Sequence, residues 1–339
     1  MTFALAVVLG AVVSPIAGWL GKAVGLVDHP SGEDLKIHGR PTSLTGGVAV
    51  LAAAAVSAWA VGERQVPGLW LAVLIAFVIG TIDDRSPLVP AVRVTGLLLA
   101  GIALVFVVPA VRDAGPTWWL AAAALVLVCA NAMNIVDGQD GLAGGLGAIS
   151  ALGLAVMLTD AGLDGSAMAA VAVSGAMGGF LVWNRPPARI FLGNGGAYGV
   201  GTLLGALGWS VAAVGGLRGL VAAGACLGPF AFEVVFTVLR RAGSRDGLAT
   251  GDRLHSYDLV AQRVGRTAST AVFLVLGLLS VGVGLLVWFA PEAGVPVAGL
   301  GAVLATVWGV LLWSKRHVPT LRDGADLRQT SDPDAELPP

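Results

Sequence analysis

The chain has 339 residues, of which 56% are hydrophobic and only 12% are charged, and its formal net charge is −1. Soluble domains carry about 25% charged residues, so this composition excludes an ordinary soluble domain and is typical of a protein with many membrane-spanning helices. The near-zero net charge gives no global basic field that would point to nucleic acid. Two cysteines in apolar stretches, Cys129 and Cys226, indicate neither a disulfide framework nor a metal cluster.

Apolar stretches recur along the whole chain, and a helix needs roughly 20 apolar residues to cross a membrane. Eleven stretches qualify, some only with their flanks: 2–24, 46–62, 68–82, 94–111, 117–133, 142–158, 166–183, 197–214, 219–239, 268–289 and 296–313. The first has no basic segment before its apolar core, which favours a retained helix over a cleaved signal peptide. The pattern predicts an all-α polytopic membrane protein, with one domain over residues 1–321 and a disordered cytoplasmic tail over residues 322–339.

The basic residues are distributed unevenly between the predicted loops. One set of alternating loops holds three of them, and the other set, with its flanking helix ends, holds the remaining seventeen of the 20. Cytoplasmic loops of membrane proteins are rich in Lys and Arg. The distribution therefore predicts an N-terminus outside the cell, a C-terminus in the cytoplasm, and polar loops that all face the cytoplasm.

The polar loops hold candidate functional residues, beginning near the N-terminus. Lys36 and Arg40 lie in the first cytoplasmic loop, where they could bind phosphates or face anionic lipid. Asp83 and Asp84 end the third predicted helix. Carboxylates at a helix C-terminus interact unfavourably with the helix dipole, so their presence there calls for a reason other than helix stability. We interpret this pair as functional, with one carboxylate meeting a metal or a substrate and the other taking a second role.

The densest polar run follows the fifth predicted helix and reads Asn-Ala-Met-Asn-Ile-Val-Asp-Gly-Gln-Asp-Gly over residues 131–141. Ionisable groups at membrane depth are costly, so they indicate a functional site. Asn131, Asn134 and Asp137 are spaced by three, which places them on one face of a helical end, and Asp140 continues the period. Hard oxygen ligands of this kind suit Mg²⁺ or Mn²⁺.

Two further clusters complete the cytoplasmic face. Residues 193–196 are rich in glycine and open the eighth predicted helix, whose free N–H groups could bind phosphate. Phe191, just before them, could stack on a flat ring or anchor the loop in lipid. His255 lies beside Tyr257 and Asp258, which favours a functional role for it. Together the clusters suit a reaction between a water-soluble nucleotide substrate and a lipid phosphate.

The motifs resemble those of the polyprenyl-phosphate N-acetylhexosamine-1-phosphate transferase superfamily, in the same order, over about residues 20–267. They comprise the run from Lys22 to Gly47, the acidic pair, Asn131-x-x-Asn134-x-x-Asp137-Gly-x-Asp140-Gly-Leu, and Asn184-x-x-Pro187-x-x-x-Phe191-Leu-Gly-Asn-Gly-Gly. The resemblance implies transfer of a sugar 1-phosphate from a UDP-sugar to polyprenyl phosphate, giving polyprenyl-diphospho-sugar and UMP. This would be the first membrane step of a cell-envelope glycan, at the cytoplasmic face of the bacterial inner membrane.

The resemblance also implies a cofactor and a set of roles. The cofactor is Mg²⁺, with Mn²⁺ as the alternative, and the oligomeric state implied is a homodimer. Asp83 would activate or orient the lipid phosphate, and Asp84 would lie near the metal. The implied catalytic residues are Asp83, Asp84 and His255, the substrate-binding residues are Lys36, Asn134, Asp137, Asp140, Asn184 and Phe191, and the metal ligands are Asp84 and Asn194.

The chain departs from the family pattern at two positions. Asn194 replaces an aspartate that ligates metal in the family, and the His-x-His-His motif is reduced to His255-Ser-Tyr-Asp258. Both departures favour an alternative, a non-catalytic paralogue that binds lipid phosphate or nucleotide sugar in a glycan-assembly complex. A transporter is a third hypothesis; it predicts charged residues in mid-helix, where Glu233 is the one strong candidate. The retained acidic pair and Asn/Asp run favour the enzyme.

Overall fold

The computed structural model describes residues 1–29, 41–60, 67–107, 115–242 and 254–314. These ranges contain twelve helices and two very short strands. In chain order they are α1 (Thr2–Ala23), β1 (Val27–Asp28), β2 (Thr42–Ser43), α2 (Gly46–Ala60), α3 (Pro67–Arg85), α4 (Pro90–Val107), α5 (Pro116–Val136), α6 (Leu142–Asp160), α7 (Asp164–Asn184), α8 (Gly193–Cys226), α9 (Gly228–Ala242), α10 (Ser256–Val264), α11 (Arg266–Phe289) and α12 (Pro291–Ser314).

Seven helices of the described chain are long and apolar enough to cross a membrane, namely α1, α5, α6, α7, α8, α11 and α12. Large apolar side chains such as Trp19, Leu278 and Leu304 lie exposed on these helices, as lipid-facing residues do. The prediction of an all-α polytopic membrane protein is confirmed. The count of eleven spans and their orientation stay predictions, and the predicted tail over residues 322–339 lies outside the described residues.

Glycines let the backbones of the central helices come into direct contact. A methyl group at Gly10 of α1 would collide with the carbonyl of Ala176 in α7, and one at Gly179 would collide with the carbonyl of Val7. A methyl group at Gly201 of α8 would likewise collide with α5. Small residues are how membrane helices approach one another without large side chains between them. Gly10, Gly179 and Gly201 therefore serve packing.

The chain reverses direction inside α8, at Gly216. Its φ of 59° and ψ of −139° interrupt the helix, and a glycine adopts this positive φ without steric cost. Gly219 then packs against the backbone of Val211, so the two halves of α8 form a hairpin. The turn predicted between the spans 197–214 and 219–239 is thereby confirmed.

The second of those spans, 219–239, is interrupted at Leu227 rather than formed by one continuous helix. α8 ends at Cys226, and a separate helix, α9, begins at Gly228. Pro229 in the first turn of α9 explains the break, because proline has no N–H to donate backward but fits the start of a helix. The short helix α10 was also missed, because it lies in a stretch that the hydropathy pattern assigns to a loop.

Hydrogen bonds between two loops define the end of the molecule where the polar motifs meet. β1 pairs with β2, and Ser43 bridges to Ile190 in parallel. The N–H groups of Gly46 and Gly47 donate to the carbonyls of Phe191 and Leu192, both over 2.9 Å. The loop before α2 is thus joined to the loop before α8, beside the last turn of α3.

Candidate active site

Asp84 caps the N-terminus of α8. One carboxylate oxygen accepts from the backbone N–H of Asn194 over 2.9 Å, and the other accepts from that of Gly195 over 3.1 Å. The first N–H groups of a helix lack helical partners and attract negative charge. Two of the donors that could have bound phosphate in the glycine-rich segment are therefore occupied by Asp84.

Asp83, its neighbour, is 5% exposed and accepts from several donors. The backbone N–H of Leu88 donates to Oδ1 over 2.8 Å. Oδ2 accepts from the side-chain amide of Asn194 over 3.0 Å and from the Tyr198 hydroxyl over 3.4 Å. The guanidinium of Arg93 lies 3.7 Å from the same oxygen. A buried carboxylate with such partners is held in one orientation.

Arg93 and Tyr198 were not singled out in the sequence. Arg93 lies at the start of α4. No pattern in the neighbouring sequence indicates that its side chain contacts Asp83 rather than lipid headgroups. The sequence does contain a signal for Tyr198. It follows Asn194 by four residues in α8, so the two side chains lie on the same face of the helix. A polar ring in an otherwise apolar helix at that spacing pointed to the same site.

Asn194 bridges α3 and α5 through its side-chain amide. Its nitrogen donates to Asp83, and its oxygen accepts from the Asn134 amide over 2.5 Å. An ionised carboxylate only accepts hydrogen bonds, so the nitrogen of Asn194 must be the atom that faces Asp83. The bridge brings the acidic pair, the Asn/Asp run and the glycine-rich segment into one cluster.

Asp137 follows α5 directly and faces other carboxylates. Burial raises its pKa well above the usual range, and the negative charges of Asp84 and Asp140 raise it further, while a hydrogen bond from the Gly193 N–H opposes the shift. Neighbouring carboxylates disfavour each other's ionised forms. A cation at this position would relieve that repulsion, so the local electrostatics favour cation binding.

The described residues contain no group of three His, Cys, Asp or Glu side chains that could hold a metal ion by themselves. Mg²⁺ in enzymes of phosphate chemistry is commonly held by one or two carboxylates together with substrate phosphates and water. The oxygen donors of Asp84, Asp137 and the Asn194 amide fit an ion of that kind.

Asp140 and Asn184 join two loops beside this cluster. Asp140 accepts from the Ala188 N–H over 2.9 Å. Asn184 is buried; its oxygen accepts from the Gly141 N–H and its nitrogen donates to the Ile190 carbonyl, both over 3.0 Å. Both ends of the Asn184 amide are therefore used within the protein, which indicates a positioning role beside the substrate-binding role predicted for it.

The remaining predicted residues lie at the edge of the cluster or beyond the described chain. Phe191 is half-buried, and its backbone N–H donates to the Ser43 carbonyl over 2.9 Å. His255 is buried, stacks on Tyr257 with ring centroids 5.3 Å apart, and reaches α5 through the Tyr257 hydroxyl, which donates to the Ile135 carbonyl over 2.7 Å. Lys36 lies outside the described residues.

Comparison with known proteins gives consistent similarities. Residues 66–214, which contain all of the central cluster, match the model of glycosyl transferase family 4. The chain is 30% identical to the decaprenyl-phosphate N-acetylglucosaminephosphotransferase of Mycolicibacterium smegmatis, over 91% of this chain and 86% of the relative. It is 27% identical to a probable undecaprenyl-phosphate N-acetylglucosaminyl 1-phosphate transferase of Bacillus subtilis, over 79% of each chain. It is 26% identical to the phospho-N-acetylmuramoyl-pentapeptide-transferase of Shouchella clausii, over 85% of this chain and 96% of the relative.

Proposed function

The chain belongs to glycosyl transferase family 4, and we propose that it transfers a sugar 1-phosphate to polyprenyl phosphate. The donor is a UDP-sugar, an N-acetylhexosamine derivative, and the products are polyprenyl-diphospho-sugar and UMP. The observation that carries the proposal is the pair of hydrogen bonds that links Asp83 through Asn194 to Asn134, because it joins three motifs of the family in one partly buried site.

The reaction exchanges one phosphorus–oxygen bond for another. An oxygen of the polyprenyl phosphate attacks the phosphorus linked to the sugar, and the bond from that phosphorus to the bridging oxygen of UMP breaks. Catalysis of phosphoryl transfer depends on positioning and on neutralising the charge of the phosphoryl oxygens. The protein therefore has to orient two phosphate groups and supply positive charge between them.

Asp83 orients the attacking phosphate and accepts its proton when the phosphate arrives protonated. The donors around Asp83 hold the carboxylate in a fixed direction, as a general base requires. Arg93 can serve the same phosphate, because its side chain is 34% exposed while its guanidinium stays beside Asp83. A planar guanidinium suits phosphate oxygens.

Asn134, Asp137 and Asp140 would hold the nucleotide sugar, and Asp84 and Asn194, which lie near Asp137, would hold Mg²⁺. When bound, the ion neutralises charge on the phosphoryl oxygens. The neighbouring carboxylate charges around Asp137 support a cation there. The active site faces the cytoplasm of the bacterial inner membrane, where a nucleotide sugar is available; the homodimer stays a prediction.

A second function has one observation in its favour. Asn194 is neutral, and both ends of its amide are engaged by Asn134 and Asp83, which suits a scaffold that binds substrate without turning it over. Such a paralogue would bind lipid phosphate or nucleotide sugar within a glycan-assembly complex. Binding and turnover therefore have to be measured on the same preparation.

The test uses the purified chain in detergent with undecaprenyl phosphate, MgCl₂ and a panel of radiolabelled UDP-sugars. We expect UMP release with one or a few donors and its loss when EDTA is added. Binding of a UDP-sugar without UMP release would favour the paralogue. No UMP release from any donor, together with no binding of a UDP-sugar or of undecaprenyl phosphate, would contradict both functions if the protein is intact by size-exclusion chromatography.

A further inference from the structure

Glu233 is a fully buried acid that the proposed mechanism does not use. It lies on α9 with 0% of its surface exposed. The Ser256 hydroxyl donates to its Oε1, and the Ser256 N–H donates to its Oε2 over 3.4 Å. The Nδ1 atom of His255 lies 3.9 Å from the same Oε2. Burying a carboxylate is costly unless it is paired, so these partners explain how the site tolerates it.

The carboxylate meets the N-terminus of α10. This helix begins at Ser256, and its N-cap residue His255 makes no side-chain capping hydrogen bond within the described chain. The backbone N–H groups of Ser256 and Tyr257 bond to Glu233 instead. The first N–H groups of a helix need partners, and a negative charge there is stabilising. Glu233 thus supplies, from a different helix, the cap that the sequence of α10 lacks.

Thr237, one turn after Glu233 on α9, also contacts the start of α10. It follows Glu233 by four residues, so the two side chains share a face. Its Oγ1 lies 3.0 Å from Nδ1 of His255. One side chain of α9 therefore holds the backbone at the start of α10, and the next holds the His255 ring.

The contact continues from α10 to the active site. Tyr257 stacks on His255 with an interplanar angle of 10°, and its hydroxyl donates to the carbonyl of Ile135. Ile135 immediately follows Asn134, which binds Asn194. Packed and hydrogen-bonded groups therefore connect Glu233 to the end of α5.

We infer that Glu233 and Thr237 are positioning residues that fix the segment from His255 to Tyr257 against the end of α5. They hold His255 in the geometry for sugar-phosphate transfer. Through Tyr257 they also hold the end of α5 that carries Asn134. The inference rests on the proposed function for its effect on turnover, but the capping of α10 by Glu233 can be measured without turnover.

The test compares Glu233→Ala, the conservative Glu233→Gln and the exposed control Glu292→Ala. Loss of a residue that orients a metal ligand typically costs about 10–100-fold in activity. By analogy, we expect Glu233→Ala to lower kcat by about that range, with less than about a threefold change in the KM for the UDP-sugar. Glu233→Gln keeps one acceptor for α10 and should recover most of the loss. Glu292→Ala should match the wild type.

Two further measurements separate positioning from general stability. In a double-mutant cycle, Glu233→Ala should cost much less in a His255→Ala background, because its effect passes through that segment. Hydrogen exchange of residues 256–259 should be about tenfold faster in Glu233→Ala, because an uncapped helix end opens more readily. If Glu233→Ala fails to fold, Thr237→Val removes only the hydroxyl beside His255 and takes its place in the cycle.

The outcomes are distinct. Unchanged exchange at residues 256–259 in Glu233→Ala overturns the inference, whatever the activity. Additive losses in the double-mutant cycle overturn positioning through His255. If the wild-type protein proves inactive, the proposed function fails, and the exchange measurement still decides whether Glu233 caps α10.

Discussion

The side-chain nitrogen of Asn194 donates a hydrogen bond to Oδ2 of Asp83 over 3.0 Å. A carboxylate at position 194, as the family pattern has it, could not make this bond unless it were protonated. The substitution therefore changes the electrostatics of the acidic pair, because a neutral donor replaces a negative charge beside Asp83.

Asn194→Asp tests whether this side chain contacts the metal. The change adds a negative charge beside Asp84, so it should lower the Mg²⁺ concentration for half-maximal UMP release. The matched control is Asn131→Asp, which adds the same charge three residues before Asn134. Among the described residues, the Asn131 amide donates to the Leu127 carbonyl of its own helix. Identical Mg²⁺ titrations for Asn194→Asp and the wild type would argue against metal contact.

Asp83→Asn tests the acidic pair. The substitution keeps the shape of the side chain but removes the charge that Arg93 faces and the base that the proposal requires. We expect turnover to fall by at least about a thousandfold, in the range for loss of a catalytic group, with little change in the melting temperature. Asp164→Asn, at an exposed acid in the first turn of α7, is the control. An unchanged rate would remove Asp83 from the mechanism.

Arg93→Ala tests recognition of the lipid phosphate. Hydrogen bonds to charged groups contribute about 1.5–3 kcal/mol, so the KM for polyprenyl phosphate should rise at least about tenfold. The KM for the UDP-sugar should change much less, and Arg93→Lys should recover part of the loss. Arg85→Ala removes an exposed arginine from the last turn of α3 and should have a small effect. Equal increases in both KM values would contradict a role specific to the lipid phosphate.

Asp137→Asn tests whether repulsion between neighbouring carboxylates lowers the thermal stability of the protein. Burial and the charges of Asp84 and Asp140 raise the pKa of Asp137, so its ionised form costs stability as the pH rises from the usual aspartate pKa through the raised value. Without divalent cations, the variant should melt at a higher temperature than the wild type at neutral pH. The difference should shrink as the pH falls below about 4, where the carboxyl is protonated in both folded and unfolded chains. A difference independent of pH would contradict this account.

The sequence predicts the membrane fold and the grouping of the motifs because both depend on local patterns. Long apolar stretches indicate spans, and the Asp, Asn and Gly motifs mark the ends of α3, α5 and α8. The break at Leu227 is less visible, since the apolar pattern continues through it and only Pro229 marks a new start.

Partners at the site depend on how the helices pack, which no single segment encodes. The contact of Arg93 with Asp83 requires α4 to lie against α3. The cap that Glu233 gives to α10 joins residues 23 positions apart. Hydropathy merges the helix of Glu233 with the preceding span and assigns α10 to a loop. The occupation of the α8 N-terminus by Asp84 likewise follows from an approach between α3 and α8 that glycines make possible, as at Gly80, where a methyl group would collide with the backbone of Asn194.

The most direct test of the central claim follows the phosphorus atom next to the sugar. Purified protein is incubated with undecaprenyl phosphate, Mg²⁺ and a UDP-sugar labelled with ³²P at the sugar-linked phosphate and with ³H in the sugar. Sugar-1-phosphate transfer predicts that both labels enter the lipid fraction in equal amounts while unlabelled UMP is released. Sugar label in lipid without ³²P, or no label in lipid with any donor that binds, would contradict the account.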